Sequence, residues 1–123
     1  MGKRILLVDD DPSILEGVGD RLRSWELEVR EASTAAACYT ALREEVPDLI
    51  LLDIRLPDGD GLDILTDLRA QYPALPVLMI SSIRGADQES LRRGAQGFLA
   101  KPFKMEDLKK AVFRAMGERG GPP

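Results

Sequence analysis

The chain has 123 residues, a formal net charge of −4 and 44% hydrophobic residues, which together are typical of one soluble globular domain. The sequence contains no histidine, and this excludes Ser-His-Asp triads, histidine-based zinc sites and a phosphorylated histidine. The single cysteine, Cys38, excludes an internal disulfide and suits a reducing cytoplasm. No apolar run approaches the ~20 residues of a membrane helix. The negative net charge gives no reason to expect nucleic-acid binding.

Five strands and five helices are predicted in alternation along the chain. Short apolar runs predict the strands, and apolar residues at helical spacing predict the helices. The second strand alternates apolar and charged residues, which favours an edge position. The strands cover residues 5–9, 27–31, 49–53, 77–80 and 97–100, and the helices cover about residues 12–25, 34–45, 62–68, 86–93 and 103–115.

Local signals mark the ends of several predicted helices. Asp11 has the character of an N-cap, and Pro12 suits the first helical position because its missing N–H costs nothing there. Ser33 or Thr34 caps the second helix. Gly94 follows the fourth helix at a position that favours left-handed backbone geometry.

The third strand is the centre of the pattern. Residues 49–52 form an unbroken apolar run, which is typical of a strand covered on both faces. The run ends abruptly at the carboxylate of Asp53. Pro57, Gly59 and Gly61 then stop the strand and form a loop. A buried strand that ends in an acid indicates that the acid has a function.

Alternating strands and helices predict an α/β fold with right-handed crossovers and a parallel sheet. In such a sheet the carboxyl ends of the strands meet at one edge, where ligands bind. Four of the five predicted strands end in chemically useful groups, and these groups therefore predict one site: Asp9 and Asp10, Asp53, Ser81 and Lys101.

Three converging carboxylates would need cations. Two carboxylates about 4 Å apart repel by about 4 kcal/mol at an effective dielectric constant of about 20. Lys101 can neutralise one of the three charges, and oxygen-only ligands favour Mg²⁺, Mn²⁺ or Ca²⁺ over zinc. We expect a Mg²⁺–phosphate site in which Asp53 is the nucleophile and Lys101 and Ser81 contact phosphoryl oxygens. The alternative is that Lys101 only stabilises a buried aspartate.

Four segments together resemble the receiver domain of bacterial two-component response regulators: LLVDDDPSIL, PDLILLDIRLPDGDGL, PVLMISS and GFLAKPF. The likeness covers about residues 3–117, so we expect a receiver domain over residues 1–117 and a tail or truncated linker over residues 118–123. The resemblance implies a flavodoxin-like (βα)5 fold, with a five-stranded parallel sheet in the order 2-1-3-4-5 and helices on both faces. It also implies a phosphorylation-dependent switch.

The resemblance implies roles for the acidic residues and their neighbours. Asp53 would accept a phosphoryl group from a sensor histidine kinase, a phosphotransfer protein or a small phosphodonor. Asp10, Asp53 and the backbone carbonyl of Arg55 would bind Mg²⁺ directly, and Asp9 would bind it through water. Asp11 matches a variable position of the family and remains a helix cap.

The resemblance also implies a switch. Ser81 matches the position that is usually Thr or Ser, and Lys101 matches the phosphate-pairing lysine, here before a cis Pro102. Phe98 occupies the switch-aromatic position, and its ring would turn inward once Ser81 moves toward the phosphate. A plain core position is the alternative for Phe98, because phenylalanine lacks the hydroxyl that fixes tyrosine rotamers.

One feature departs from the family pattern. The interval from Ser81 to Lys101 is 20 residues, about two fewer than expected, or about half a helical turn. The missing residues fall in the fourth helix or the loop before it, and that region belongs to the family's usual output face. The resemblance therefore leaves open how the signal leaves the domain, whether to an effector domain of a transcriptional regulator or through a homodimer.

Two alternative functions require sequence features that this chain lacks. A phosphatase of the haloacid-dehalogenase type needs an acid two residues after the nucleophile, where this chain has Arg55. A flavin or nucleotide binder would be expected to carry a G-x-G-x-x-G or G-x-x-x-x-G-K-[ST] segment, which the sequence lacks. We therefore expect no enzyme activity beyond self-phosphorylation and self-dephosphorylation, and no contact of this domain with nucleic acid or a membrane.

Overall fold

The computed structural model describes residues 2–117, and the predicted tail or linker over residues 118–123 lies outside the described residues. Five main strands alternate with five helices, as the sequence predicts. The strands are β1 (Arg4–Val8), β2 (Glu28–Ala32), β3 (Leu49–Asp53), β4 (Val77–Ser81) and β5 (Gly97–Ala100). The helices are α1 (Pro12–Ser24), α2 (Ala35–Glu44), α3 (Gly61–Gln71), α4 (Ala86–Arg92) and α5 (Met105–Ala115).

The five strands form one parallel sheet in the order β2-β1-β3-β4-β5. This order confirms the predicted flavodoxin-like topology and the edge position of β2. The strand β3 lies in the middle, and each of its five residues is buried. The unbroken apolar run of β3 follows from this position, because a central parallel strand has a hydrophobic layer on each face.

Two apolar layers cover the two faces of the sheet. Leu6, Val8, Ile50 and Leu52 pack with buried residues of α2, α3 and α4. Their sequence neighbours point to the other face, where Ile5, Leu7, Leu49 and Leu51 pack with α1 and α5. The period of two along each strand thus divides one continuous apolar segment between two cores. No helix among residues 2–117 is long and apolar enough to cross a membrane.

The helix boundaries largely follow the predicted caps. The Asp11 side chain accepts from the Ser13 amide at 2.9 Å and caps α1. Thr34, rather than Ser33, caps α2, because its hydroxyl accepts from the Ala37 amide at 3.0 Å. Gly94 has a φ of 99°, the left-handed geometry predicted after α4.

Several predicted helix ends differ from the structure by one to three residues. The helix α1 ends at Ser24, and Trp25 follows it as the C-cap residue. The last helix was expected to begin at Phe103, but α5 begins at Met105 because Lys104, the residue before it, has extended backbone geometry. Phe103 still packs against the apolar layer between the sheet and α1 and α5, so its contribution to the core is independent of the helix boundary.

The loop after β3 contains a small hairpin that the sequence analysis treats only as a loop. Arg55–Leu56 pairs antiparallel with Gly59–Asp60, so Pro57 and Asp58 form its tip. Gly61 follows immediately, and a Cβ on this residue would lie 2.1 Å from the carbonyl oxygen of Asp53. Only glycine therefore allows the chain to turn back this closely against the end of β3.

The helix α4 contains one buried polar group without a partner. Ser90 is fully buried, and its hydroxyl has no hydrogen-bond partner within residues 2–117. We predict that Ser90→Ala raises the free energy of unfolding by about 1 kcal/mol, because it removes an unsatisfied buried hydroxyl. Urea denaturation measures the change. Ser24→Ala, at the hydrogen-bonded and exposed end of α1, is the control and should change stability by less than about 0.5 kcal/mol. Equal or lower stability of Ser90→Ala would contradict this account.

Candidate functional site

Two of the predicted acids follow β1 directly. Asp9 is fully buried, and its amide donates to the carbonyl of Ala32 at 3.1 Å in the neighbouring strand β2. One oxygen of the Asp9 carboxylate accepts from the amide of Asp11 at 3.0 Å. Asp10, by contrast, is exposed. The end of β1 therefore presents one buried and one accessible carboxylate.

Asp53 is the last residue of β3 and lies beside the end of β1. The strand register pairs Val8 with Leu52 and Asp53 with Ile80, so the acids that end β1 and β3 are neighbours. Asp53 is 7% exposed, whereas Asp9 is fully buried. Its Oδ1 accepts from the amide of Ile54 at 2.7 Å. The second oxygen faces Lys101.

Lys101 joins the two buried carboxylates. Its Nζ lies 2.8 Å from Asp9 Oδ2 and 3.3 Å from Asp53 Oδ2. The backbone positions it, since the Lys101 amide donates to the carbonyl of Ser81 at 2.9 Å. The peptide bond to Pro102 is cis, as predicted. One ammonium therefore faces two carboxylates directly, and a third, Asp10, lies nearby.

The pKa values of Asp53 and Lys101 reflect an excess of negative charge around them. Burial raises the pKa of Asp53, and the charge of Asp9 raises it further, while Lys101 and the Ile54 amide act in the opposite direction. Burial alone would lower the pKa of Lys101, but its hydrogen bonds and charge interactions with Asp9 and Asp53 outweigh burial and raise it. Lys101 is therefore charged at neutral pH, and the raised pKa of Asp53 means that burial and the charge of Asp9 outweigh the opposing effects of Lys101 and the Ile54 amide.

The donor set fits a hard divalent cation. Asp9, Asp10 and Asp53 each offer one carboxylate oxygen, and these three oxygens lie within 4.8 Å of one another. Carboxylate oxygens are the ligands that Mg²⁺ and Ca²⁺ prefer, and the cluster contains no thiolate or imidazole that would favour zinc. The structure thus brings together the three acids and the lysine that the sequence places at separate strand ends.

The remaining predicted residues lie around this cluster. Ser81 is buried at the end of β4, and its Oγ accepts from the amide of Ile83 at 3.0 Å. Phe98 on β5 is half-buried and packs against the apolar layer that includes α4. Ser81 and Phe98 line one surface groove together with Ile83 and Leu91. Arg55 is exposed and begins the small hairpin after Asp53.

Sequence reasoning missed the role of Asp58. This residue lies at the tip of the small hairpin, and its carboxylate accepts from the amides of Ala35 at 2.7 Å and Ala36 at 3.0 Å, in the first turn of α2. The Pro-Asp-Gly segment indicates a turn. It carries no signal for a partner 23 and 22 residues earlier in the chain, because that contact exists only after β1 and β3 have paired.

A model of the response regulator receiver domain matches residues 5–113. The chain belongs to this family. The receiver-domain match favours neither the phosphatase nor the flavin-binding alternative.

Individual relatives agree with the family assignment. The transcriptional regulatory protein PrrA of Mycobacterium tuberculosis is 35% identical over 119 residues, which cover 95% of this chain and 51% of PrrA. A CheY-like receiver domain protein from Methanospirillum hungatei has a TM-score of 0.89 at 30% identity, with 95% of each chain covered. The compared curated relatives are longer, and the chain spans between 25% and 51% of their length.

A third relative contains a metal. The receiver domain of the sensor histidine kinase PA1611 from Pseudomonas aeruginosa is 30% identical, with a TM-score of 0.86, and the match covers 96% of this chain and 100% of that domain. Its crystal structure has a magnesium ion coordinated in the active-site cleft. The receiver fold of that relative therefore accommodates Mg²⁺.

The excess negative charge predicts a stability effect at Asp53. Asp53→Asn should raise the free energy of unfolding of the metal-free protein at pH 7 by about 1 kcal/mol, because it removes a buried charge that repels Asp9. The folded-state pKa of Asp53 is raised, so ionisation disfavours folding. The gain should therefore be absent below the unfolded-state pKa of about 4, grow with pH, and level off above the folded-state pKa.

Urea denaturation between pH 4 and pH 8 without divalent cations measures this gain. Asp20→Asn serves as the matched control, since Asp20 is an exposed aspartate in α1, and it should change stability by less than about 0.5 kcal/mol at any pH. A loss of stability in Asp53→Asn that persists across this range would show that Lys101 compensates Asp53 fully.

Proposed function

We propose that this receiver domain is a phosphorylation-dependent signalling switch in which Asp53 accepts a phosphoryl group from a sensor histidine kinase or a phosphotransfer protein. The observation that carries the proposal is the position of Lys101 Nζ, within hydrogen-bond distance of both Asp9 and Asp53. A reactive carboxylate at the end of a buried strand, with an ammonium beside it, suits the transfer of a dianionic group.

The proposal includes Mg²⁺ as a cofactor. Asp10, Asp53 and the backbone carbonyl of Arg55 would hold the ion directly, and Asp9 would hold it through water. The acidic cluster and the magnesium-containing PA1611 domain support this assignment. When bound, the ion would neutralise negative charge on the carboxylates and on the phosphoryl oxygens.

The residues of the chain supply the other parts of the reaction. An Asp53 carboxylate oxygen forms a bond to phosphorus while the bond from phosphorus to the imidazole nitrogen of the donor breaks, and the electron pair of that bond stays with the nitrogen. The ammonium of Lys101 pairs with one phosphoryl oxygen. The Ser81 hydroxyl donates to another, for which it must turn from its present contact with the Ile83 amide.

The movement of Ser81 suggests how phosphorylation alters the surface. Ser81 and Phe98 share a groove beside α4, so a shift of the Ser81 side chain changes the space available to the Phe98 ring. We assign Phe98 as the switch residue on this basis. The plain core alternative predicts the same burial of Phe98 but no change in its surroundings on phosphorylation.

The wider role belongs to the same proposal. The named relatives include transcriptional regulators, which supports control of an effector domain or of a homodimer, with no direct contact between this domain and nucleic acid. Its only chemistry would be its own phosphorylation and dephosphorylation. A buried free thiol at Cys38 suits a cytoplasmic protein.

The phosphoacceptor assignment has a direct test. Asp53→Asn should abolish incorporation of phosphate from acetyl phosphate or phosphoramidate in the presence of Mg²⁺, measured by intact-protein mass spectrometry, because the nucleophilic carboxylate is gone. Asp11→Asn is the matched control, since Asn can still cap α1 and Asp11 lies on the same rim. That variant should be labelled like the wild type. Full labelling of Asp53→Asn would place the acceptor elsewhere.

The switch has a separate test with two adjacent serines. Beryllofluoride with Mg²⁺ should change the ring resonances of Phe98 in NMR spectra of the wild type. Ser81→Ala should abolish most of that change, because the buried hydroxyl is absent, whereas Ser82→Ala should retain it, since Ser82 is exposed. An unchanged response in Ser81→Ala, or no response in the wild type, would favour the plain core role of Phe98.

A further inference from the structure

The carboxylate of Asp58 connects the loop after Asp53 to the start of α2. Its two oxygens accept separately from two successive amides, those of Ala35 at 2.7 Å and Ala36 at 3.0 Å. Two bonds to two atoms fix both the position and the orientation of the carboxylate. These amide bonds lower the pKa of Asp58, so the group is ionised at neutral pH.

The first amides of α2 are suitable hydrogen-bond donors for this carboxylate. The first amides of a helix have no partner within the helix and carry partial positive charge. Thr34 satisfies the amide of Ala37, and the two amides before it are the ones that Asp58 satisfies. A Cβ on Gly59 would lie 3.1 Å from the Cβ of Ala35. The loop and the helix are therefore in close contact as well as hydrogen-bonded.

The loop that Asp58 anchors also contains Arg55, whose carbonyl is a proposed Mg²⁺ ligand. Two features restrain the base of this loop: Arg55 pairs with Asp60 in the small hairpin, and the amide of Gly61 donates to the carbonyl of Ile54 at 2.6 Å. The tip, between Leu56 and Gly59, is restrained by Asp58. A backbone carbonyl contributes more to metal affinity when its peptide plane is already held in one orientation, because binding then costs less ordering.

We infer that Asp58 is a positioning residue for the Mg²⁺ site, because its carboxylate docks the hairpin on the first turn of α2 and thereby holds the Arg55 carbonyl in place. This inference rests on the proposed function, since it takes the proposed metal site as given. Outer residues that orient metal ligands commonly change affinity by about tenfold or more.

Docking of the hairpin on α2 and metal binding should favour each other. If docking of the hairpin on α2 favours metal binding, metal binding favours docking by the same free energy. Mg²⁺ should therefore slow hydrogen exchange at the amides of Ala35 and Ala36 in the wild type, although neither residue is a proposed metal ligand. A role of Asp58 confined to capping α2 predicts no such effect.

Mg²⁺ affinity of three variants, measured by isothermal titration calorimetry with MgCl₂, tests the inference. Asp58→Ala should weaken binding about tenfold. Thr34→Ala removes another cap of the same helix but leaves the hairpin untouched, and it should bind Mg²⁺ within about twofold of the wild type. Asp58→Asn removes the charge but retains one acceptor oxygen, so its affinity should fall between those of the wild type and Asp58→Ala.

Hydrogen exchange provides the readout that does not depend on metal affinity alone. Without Mg²⁺, exchange over residues 54–61 should be faster in Asp58→Ala than in Thr34→Ala. With Mg²⁺, protection of Ala35 and Ala36 should appear in the wild type and in neither Asp58→Ala nor a metal-free sample.

Three outcomes would overturn the inference: near wild-type affinity in Asp58→Ala, an equal loss in Thr34→Ala, or identical losses in Asp58→Ala and Asp58→Asn, which would indicate an effect of charge alone. Absence of Mg²⁺ binding in the wild type is a different result. It would refute the metal part of the proposed function, and the inference about Asp58 would fail with it.

Discussion

The candidate site depends on a charge imbalance held at one edge of the sheet. Asp9 and Asp53 are both buried and share a single ammonium, that of Lys101. Unpaired buried charge normally costs several kcal/mol, and a protein under selection for stability alone would replace one of these acids. The imbalance is instead suited to a ligand that brings positive charge.

The parallel sheet makes this arrangement possible. Apolar residues surround β1 and β3 on both faces, so the strands are rigid up to the point where their acids emerge. The register then places the ends of β1, β3 and β4 side by side along one edge of the sheet. The hydrogen bond from the Lys101 amide to the Ser81 carbonyl brings the end of β5 to the same edge. The apolar layers stabilise the fold, which leaves the residues at the strand ends available for binding or reaction.

The sequence predicts the meeting of the strand-end residues well because each element carries its own signal. The apolar run before Asp53 identifies a central strand, and the parallel topology then brings four strand ends together. Contacts between distant segments have no such signal. The docking of Asp58 on α2 and the packing of Phe103 outside its helix both depend on tertiary positions, and helix propensity or turn chemistry alone could not predict them.

The two ends of α4 are restrained to different degrees. The C-terminal end of this helix is held to α3, because Arg93 donates to Asp63 at 3.4 Å and to Thr66 at 3.3 Å. Its N-terminal end begins after Gly85 without a side-chain cap and follows the Ser81–Ile83 contact by only two residues. The movement that we propose for Ser81 would therefore act on the end of α4 that has no side-chain cap. Since α4 has only seven residues, such a movement would affect most of the helix and the adjoining groove that contains Phe98.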